Sequence, residues 1–347
     1  MWLAPIDEKE KEKLLQRESA HCPQALSSAS CSTHKNWLWE SGTKTFLACH
    51  NKAELVALLK KHSLFTSLEQ IKGSSSEALL TSQQFLGEKS TIQLGKAVLG
   101  SSDFVMMAGP CALESSDMLD NQLRYFKTLG VKVVRAGCYK PRTSPYAFTG
   151  LAGHGYQVLG TKCREYEMLS VSEVVDERSA EQAQEWIDIF QIGARNMHNH
   201  SLLREVAQYQ KPVLLKRGLC ATYNEWLLSA ECLLNAGCFQ VILCERGIRS
   251  FSDMGRFTLD LQALCAMREL THLPVIVDPS HACGKSAWVP SMAKAALAAG
   301  ADGLLIEVHP HPEIAKCDGE QSLSLHEFEQ LYQDLDKACP VFQRRLI

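Results

Sequence analysis

The chain has 347 residues, 46% hydrophobic and 22% charged, with a formal net charge of −3. That balance is ordinary for a folded soluble protein, and the length suits one large domain with an appendage, or two domains. It excludes a general attraction to nucleic acid or to an anionic membrane.

The first residues, MWLAPIDEKEKEKLLQ, lack the apolar core of a signal peptide. No apolar run approaches the roughly 18 residues of a membrane helix, so a cytoplasmic protein without a membrane partner is expected. Fourteen cysteines occur without a CxxC pair and read mostly as buried small hydrophobes. Residues 1–20 are charged and helix-permissive. Residues 21–43 are rich in Cys, Ser and His without a period, and a poorly ordered segment is expected there. His21, Cys22, Cys31 and His34 fit no standard zinc spacing. A short strand is expected over 43–50. A helix is expected over 51–62, where NKAELVALLKKH has apolar residues at helical spacing behind an Asn cap. Residues 63–91 are loosely patterned, with a turn at Gly73-Ser-Ser-Ser76. Residues 1–90 therefore read as a small N-terminal extension without a chemical motif.

A hairpin is expected at 92–99, and from there the texture changes. Apolar, β-branched runs recur at 104–108, 132–135, 168–173, 187–192, 213–216, 241–244, 275–277 and 303–307. Between them lie helix-forming stretches such as 117–129, 177–185, 202–208, 223–236 and 289–299. Near-continuous apolar strands alternating with helices predict a parallel sheet buried on both faces. Eight such units over residues 91–347 predict a (β/α)8 TIM barrel. The competing doubly wound sheet usually carries GxGxxG after its first strand, and that motif is absent.

A barrel places its chemistry at the C-terminal ends of its strands. Each predicted strand delivers a polar group there: Cys111, Arg135 with Lys140 and Arg142, Glu173, Gln191 to Asn196, Lys216-Arg217, Cys244-Glu245-Arg246, Asp278 to His281, and Glu307 to His309. The cations Arg135, Lys140, Arg142, Arg195, Lys216 and Arg246 would repel one another at one mouth, even with Glu173 and Glu245 nearby. They imply a polyanionic ligand. Gly193-Ala194, before a helix start, can add backbone donors to a phosphate. Cys111, His281, Glu307 and Asp318 offer a thiolate, an imidazole and two carboxylates, which suit a divalent metal ion such as Mn, Fe, Zn or Co. His309 and His311 are weaker ligand candidates, and Cys138 and Cys283 near the mouth are candidates for redox sensitivity.

Seven motifs in order carry a resemblance: AGPCALES (108–115), VVRAGCYKPRTSPYAFTGL (133–151), QIGARNMHN (191–199), KPVLLKRG (211–218), ILCERGIRSF (242–251), LPVIVDPSHACGK (273–285) and IEVHPHPEIAKCDGEQSL (306–323). They resemble the 3-deoxy-D-arabino-heptulosonate 7-phosphate (DAHP) synthases, most of all the type I beta subfamily, which stands close to the octulosonate phosphate synthases. The resemblance implies a metal-dependent condensation of phosphoenolpyruvate with erythrose 4-phosphate that opens the shikimate pathway to the aromatic amino acids. It places the metal ligands on Cys111, His281, Glu307 and Asp318. It places phosphoenolpyruvate on Arg135, Lys140, Glu173, Ala194, Arg195, Lys216 and Arg246, and erythrose 4-phosphate on Lys140, Pro141, Arg142, Thr143 and Asp278. Lys140, Arg142, Lys216, Glu173 and Asp278 are the catalytic candidates. Lys140-Pro-Arg-Thr143 distinguishes this reading from an octulosonate phosphate synthase acting on arabinose 5-phosphate. The resemblance also implies a homo-oligomer, a tetramer. Relatives carry ferredoxin-like, ACT-like or chorismate mutase domains before the barrel. With Arg17 as its single arginine, the segment 1–90 is unsuited to a mutase site and fits a degenerate ferredoxin-like regulatory domain.

Overall fold

The computed structural model describes residues 2–6, 36–41, 44–49, 72–73, 78, 80–83, 88–140, 146 and 148–347. The helix expected over 51–62 lies outside them. Strands β1 (Trp2–Ile6), β2 (Asn36–Ser41), β3 (Lys44–Cys49) and β4 (Lys72–Gly73) form an antiparallel sheet of order β2-β3-β1-β4. β3 is the strand expected over 43–50. β1 and β2 fall where a helix-permissive stretch and an irregular one were expected. β2 and β3 pair from Asn36↔Cys49 to Ser41↔Lys44. The aromatic-rich NWLWES suits a strand once a partner is in register. Both of these strands depend on pairing rather than on local pattern.

The hairpin β5 (Ile92–Leu94) and β6 (Ala97–Leu99) is followed by eight parallel strands. They are β7 (Asp103–Gly109), β8 (Val133–Arg135), β9 (Leu169–Val174), β10 (Ile189–Ile192), β11 (Val213–Lys216), β12 (Val241–Glu245), β13 (Val275–Val277) and β14 (Gly303–Glu307). Each pairs with the next, and β14 pairs with β7 to close the (β/α)8 TIM barrel. Around it run α1 (Ser116–Leu129), α2 (Ala152–Glu165), α3 (Glu177–Ala183), α4 (His200–Gln208), α5 (Tyr223–Asn235), α6 (Gln262–Leu270), α7 (Pro279–Cys283), α8 (Val289–Ala299) and α9 (Leu325–Ala338). A last short strand, β15 (Arg345–Leu346), adds to β7. Local signals set several helix ends: Ser115 caps α1 by accepting from Met118 N, and Thr222 with Glu225 forms a capping box on α5. α2 has a weaker sequence signal because its buried face includes Gly155 and Gly160. A β-carbon on Gly160 would lie 2.3 Å from the Trp186 carbonyl oxygen, so the helix packs there on backbone.

The strands alternate strictly. Val105, Met107, Val133, Val171, Ile189, Leu214, Ile242, Cys244, Ile276 and Leu305 form one apolar cluster inside the ring, together with Ile92, Leu94, Ala97 and Leu99 of the hairpin. Phe104, Met106, Val134, Phe190, Leu215, Leu243, Val277 and Leu304 point outward into the larger core beneath the helices. The hairpin thus plugs the end of the barrel opposite the site.

The segment leading into the barrel is clamped by side chains. Glu231 on α5 accepts from the backbone N–H of Leu80 and Thr81 at 2.8 and 2.9 Å. His272 is buried, with Nε2 2.6 Å from the Leu80 carbonyl oxygen and Nδ1 2.7 Å from Ser90 Oγ. Burial lowers its pKa from 6.5 to about 4, against the opposing pull of the Leu80 carbonyl. The unfolded chain therefore binds a proton between these values that the native protein refuses. Stability is fully present above about pH 6.5 and is lost as pH falls toward 4, by roughly 3 kcal/mol from this group. Urea unfolding of wild type and His272→Asn across that window should show a shallower acid slope in the variant; equal slopes would refute the assignment.

Candidate active site

The period that fills the barrel also places the site. Two residues beyond the interior apolar layer the alternation delivers Arg135 on β8, Glu173 on β9, Gln191 on β10, Lys216 on β11, Arg246 after β12, Asp278 after β13 and Glu307 on β14. β7 contributes Gly109 at the same level. A β-carbon there would meet the Arg135 carbonyl oxygen at 2.2 Å, at a φ of 151°. Two residues further on stands Cys111.

These groups are bonded across the ring. Arg135 Nη1 donates to Glu307 Oε1 at 2.6 Å, and its Nε donates to Gln191 Oε1 at 3.2 Å. Gln191 Nε2 reaches Glu173 Oε2 at 3.3 Å. Lys216 Nζ lies 2.5 Å from Asp278 Oδ2, which is also 2.7 Å from His281 Nδ1. Asp278 caps α7 as well, accepting the His281 backbone N–H at 2.9 Å. One buried carboxylate thus sets both the helix and the imidazole it carries.

Cys111, His281, Glu307 and Asp318 each offer one ligand atom, all within 4.8 Å of one another. The sequence-derived set therefore converges in space. Cys111 Sγ is 3.2 Å from Asp318 Oδ2, and His281 Nε2 is 3.4 Å from Glu307 Oε1. Burial works against ionisation of Glu307, but His281, Arg135 and Lys140 outweigh it and hold the pKa at about 2. Burial likewise opposes Asp318, where Arg256 and the Cys111 thiol bring it to about 2. Burial lowers the pKa of His281 to about 4, leaving the neutral imidazole that metal binding requires. A thiol, a neutral imidazole and two anionic carboxylates turned to one point fit a divalent ion.

The cationic set is narrower than its sequence suggested. Arg135 is paired with Glu307, Lys216 with Asp278, and Arg217 with Glu245 and Asp260 at 2.9 and 2.8 Å. Glu245 therefore offsets Arg217, one residue out of phase with the interior layer, rather than Arg246. Arg246 lies over Phe257 at 4.3 Å with a buried Nη1 that has no hydrogen-bond partner. Repulsion among six cations is thus not the argument for an anion; the unpaired nitrogen of Arg246 is. Lys140 folds back over Gly137, whose added β-carbon would meet Lys140 Cε at 2.4 Å and the Cys111 carbonyl oxygen at 2.6 Å. Arg195 is exposed on the 3-10 turn Ala194–Asn196 after β10. Pro141, Arg142 and Thr143 lie outside the described residues.

His309 turns toward Glu114 at 3.4 Å and His311 is exposed beside Glu313, so neither joins the ligand group. Cys138 and Cys283 are buried thiols with pKa values pushed up to about 12 and about 11, which removes the basis for their expected redox sensitivity. Sequence reasoning missed three neighbours. Gln321 donates to Glu307 Oε2 at 2.5 Å, Arg256 donates to Gln321 Oε1 at 2.8 Å and stands 3.4 Å from Asp318 Oδ1, and Cys317 touches Cys111. Gln321 and Cys317 lie inside the quoted motif at 306–323, where adjacency to Asp318 was the available signal.

Fold and site together define a (β/α)8-barrel enzyme with a polar, charge-lined mouth. The model of the DAHP synthetase I family matches residues 81–340, and the chain belongs to that family. The chain is 46% identical over 258 residues to the phospho-2-dehydro-3-deoxyheptonate aldolase of Thermotoga maritima, covering 74% of this chain and 76% of that one. A 2-dehydro-3-deoxyphosphooctonate aldolase of Francisella tularensis subsp. holarctica is 30% identical over 254 residues, covering 67% of this chain and 91% of that protein. The solved structure of the Thermotoga maritima phospho-2-dehydro-3-deoxyheptonate aldolase (DAHP synthase) superposes with a TM-score of 0.77 at 34% identity, over 100% of this chain and 99% of that one. A truncated form of the DAHP synthase from the same organism gives 0.74 at 40% identity, over 78% and 100%.

Arg135→Met would strip the buried Glu307 carboxylate of its paired cation. Urea unfolding should show a loss of about 3–5 kcal/mol; a loss below about 1 kcal/mol would mean that the pair is dispensable to the fold.

Proposed function

We infer that this chain is a DAHP synthase, joining phosphoenolpyruvate to erythrose 4-phosphate with release of phosphate. One observation carries the reading: Cys111, His281, Glu307 and Asp318 converge beside the charged level that holds Arg135 and Lys216, in a chain that shares 46% identity with the Thermotoga aldolase.

Those four residues would hold a divalent metal ion, which when bound supplies Lewis acidity to the aldehyde oxygen. Asp278 and Gln321 orient two of the ligands, His281 and Glu307. Arg246, Arg195 and the turn at Ala194 suit the phosphate and carboxylate of phosphoenolpyruvate, with Arg135 and Lys216 behind them. Anchoring at several points fixes the attack geometry of carbon 3 on the aldehyde carbon. Burial disfavours the charged form of Lys140, but the pull of the Cys111 sulfur and then of Glu307 outweighs it and raises the pKa. Lys140 is therefore protonated at neutral pH, and its Nζ can deliver a proton to the oxygen of the aldehyde carbon as the new bond forms. Glu173 lies against Gly193, where an added β-carbon would sit 2.0 Å from its Oε1, so the turn that presents Ala194 is built around this carboxylate. Pro141, Arg142 and Thr143 complete the grip on the aldose phosphate in this reading.

Residues 1–90 are proposed as a degenerate ferredoxin-like regulatory domain. The antiparallel order β2-β3-β1-β4 supports this. A tetramer is proposed from the family resemblance.

Phosphate release by manganese-loaded protein should require phosphoenolpyruvate and erythrose 4-phosphate, stop on chelation, and return with manganese. Turnover with arabinose 5-phosphate alone would make it an octulosonate phosphate synthase instead. Cys111→Ala should lose metal-dependent turnover while unfolding cooperatively as wild type does; retained turnover would remove Cys111 from the ligand set. Gln321→Leu should weaken metal retention during dialysis against graded chelator by about 10–100-fold, and unchanged retention would deny it an orienting role.

A further inference from the structure

Residues 309–322 form one lobe that leaves the end of β14 and returns to it at Leu323. Its neck is closed by backbone bonds from Leu323 N to the Glu307 carbonyl oxygen and from His309 N to the Leu323 carbonyl oxygen, both 2.9 Å. Its body is folded tightly, since a β-carbon on Gly319 would lie 2.2 Å from the Pro312 carbonyl oxygen. Asp318 stands in this lobe at a φ of 50°, a left-handed conformation that side chains seldom adopt. β7 lies to one side of β14 and β13 to the other, and a side chain reaches the lobe from each flank. On the first flank Glu114, between Cys111 and α1, accepts the Lys316 backbone N–H at 2.7 Å, and His309 Nε2 faces the same oxygen at 3.4 Å. On the second, Arg256 donates to Gln321 Oε1 at 2.8 Å and stands 3.4 Å from Asp318 Oδ1. Arg256 has a firm base. Its own N–H reaches the Cys283 carbonyl oxygen at 3.1 Å and that of Phe257 reaches the Ala282 carbonyl oxygen at 2.9 Å, which ties its loop to α7. Lys316 also lies over the Phe148 ring at 5.0 Å.

We propose that Glu114 and Arg256 are positioning residues that clamp this lobe from both flanks and so keep Asp318 in the candidate metal group. Neither is among the four candidate ligands. The neck fixes where the lobe starts and ends, but not how its body is set over the mouth. Hydrogen bonds with an ionised partner are stronger than neutral ones, and two of them on opposite flanks remove that freedom. Glu114 shares its segment with Cys111, so its bond to Lys316 sets the loop that carries the sulfur against the lobe that carries the carboxylate. Arg256 sets the same lobe against α7, which carries His281. The role in metal binding rests on the ligand reading above, whereas the clamping of the lobe does not.

Two readouts on the full chain separate these parts. In metal-free protein, amide hydrogen exchange over 309–322 should quicken about tenfold or more in Glu114→Ala and in Arg256→Met, through loss of a charge-assisted bond, while the barrel strands exchange as in wild type. Glu114→Gln, whose amide oxygen can still accept the Lys316 N–H, should exchange as wild type does. In dialysis of manganese-loaded protein against graded chelator, Glu114→Ala and Arg256→Met should hold manganese about 10–100-fold more weakly, with Glu114→Gln close to wild type. Excess manganese should then restore turnover, because mass action offsets a weaker affinity and no substrate contact has been removed. Unchanged exchange over 309–322 would overturn the clamp, and exchange quickened throughout the barrel would mean that these side chains hold the fold rather than the lobe. A lobe that exchanges faster while manganese retention is unchanged would refute the positioning role, and turnover that excess manganese does not restore would make the residue a substrate contact instead. A wild type that retains no manganese is the failure of the ligand reading and takes the positioning role with it; the exchange comparison still decides whether the lobe is clamped.

Discussion

Closure of the barrel between β14 and β7 is the constraint on which the site depends. The two strands run in register from Gly303↔Val105 to Glu307↔Gly109. That pairing sets Glu307 beside the segment that leads to Cys111, although some two hundred residues separate them in the chain. Glycine holds both ends of the seam. A β-carbon on Gly303 would lie 2.3 Å from the Val105 carbonyl oxygen, and one on Gly109 would lie 2.2 Å from that of Arg135. Side chains at either position would force the strands apart and shift every residue above them.

With the ring closed, the period of two does the rest. The apolar interior layer is sealed below by the hairpin at 92–99, and the next level up is charged. That level has a dry floor. Its charges are strengthened by low dielectric and penalised by desolvation at the same time. Pairing across the ring resolves the penalty: β8 to β14 through Arg135 and Glu307, and β11 to β13 through Lys216 and Asp278. Such pairs add little net stability over an apolar core. What they provide is fixed orientation, because each carboxylate oxygen already has a donor before any ligand arrives.

Much of this was legible in the sequence. All eight barrel strands were visible as apolar runs, because a strand buried on both faces leaves an uninterrupted signature. The four ligand candidates could be grouped once the barrel was assumed, since strands one, seven and eight must then adjoin. Elements held by pairing or close backbone packing were less legible. Trp2–Ile6 and Asn36–Ser41 become strands through their partners, and α2 hides its amphipathic face behind Gly155 and Gly160. The roles of Lys216 and Arg217 were also blurred. Adjacent cations look alike in a list, yet the alternation sends Lys216 inward to Asp278 and Arg217 outward to Glu245 and Asp260. Counting in twos from Leu214 would have separated them.

The candidate ligand group is held unevenly, and the unevenness follows from where each residue sits. Glu307 is on a strand, with Arg135 and Gln321 on its two oxygens and its backbone N–H given to Ser280 Oγ at 2.9 Å. His281 is on a short helix whose cap, Asp278, also faces its ring. Cys111 and Asp318 are on loops, and the Asp318 side chain remains partly exposed beside Arg256. The imidazole nitrogen and one carboxylate of the candidate group are therefore fixed by the barrel, while its sulfur and other carboxylate sit on loops. An ion held by this candidate group would be met from the loop side and oriented from the strand side.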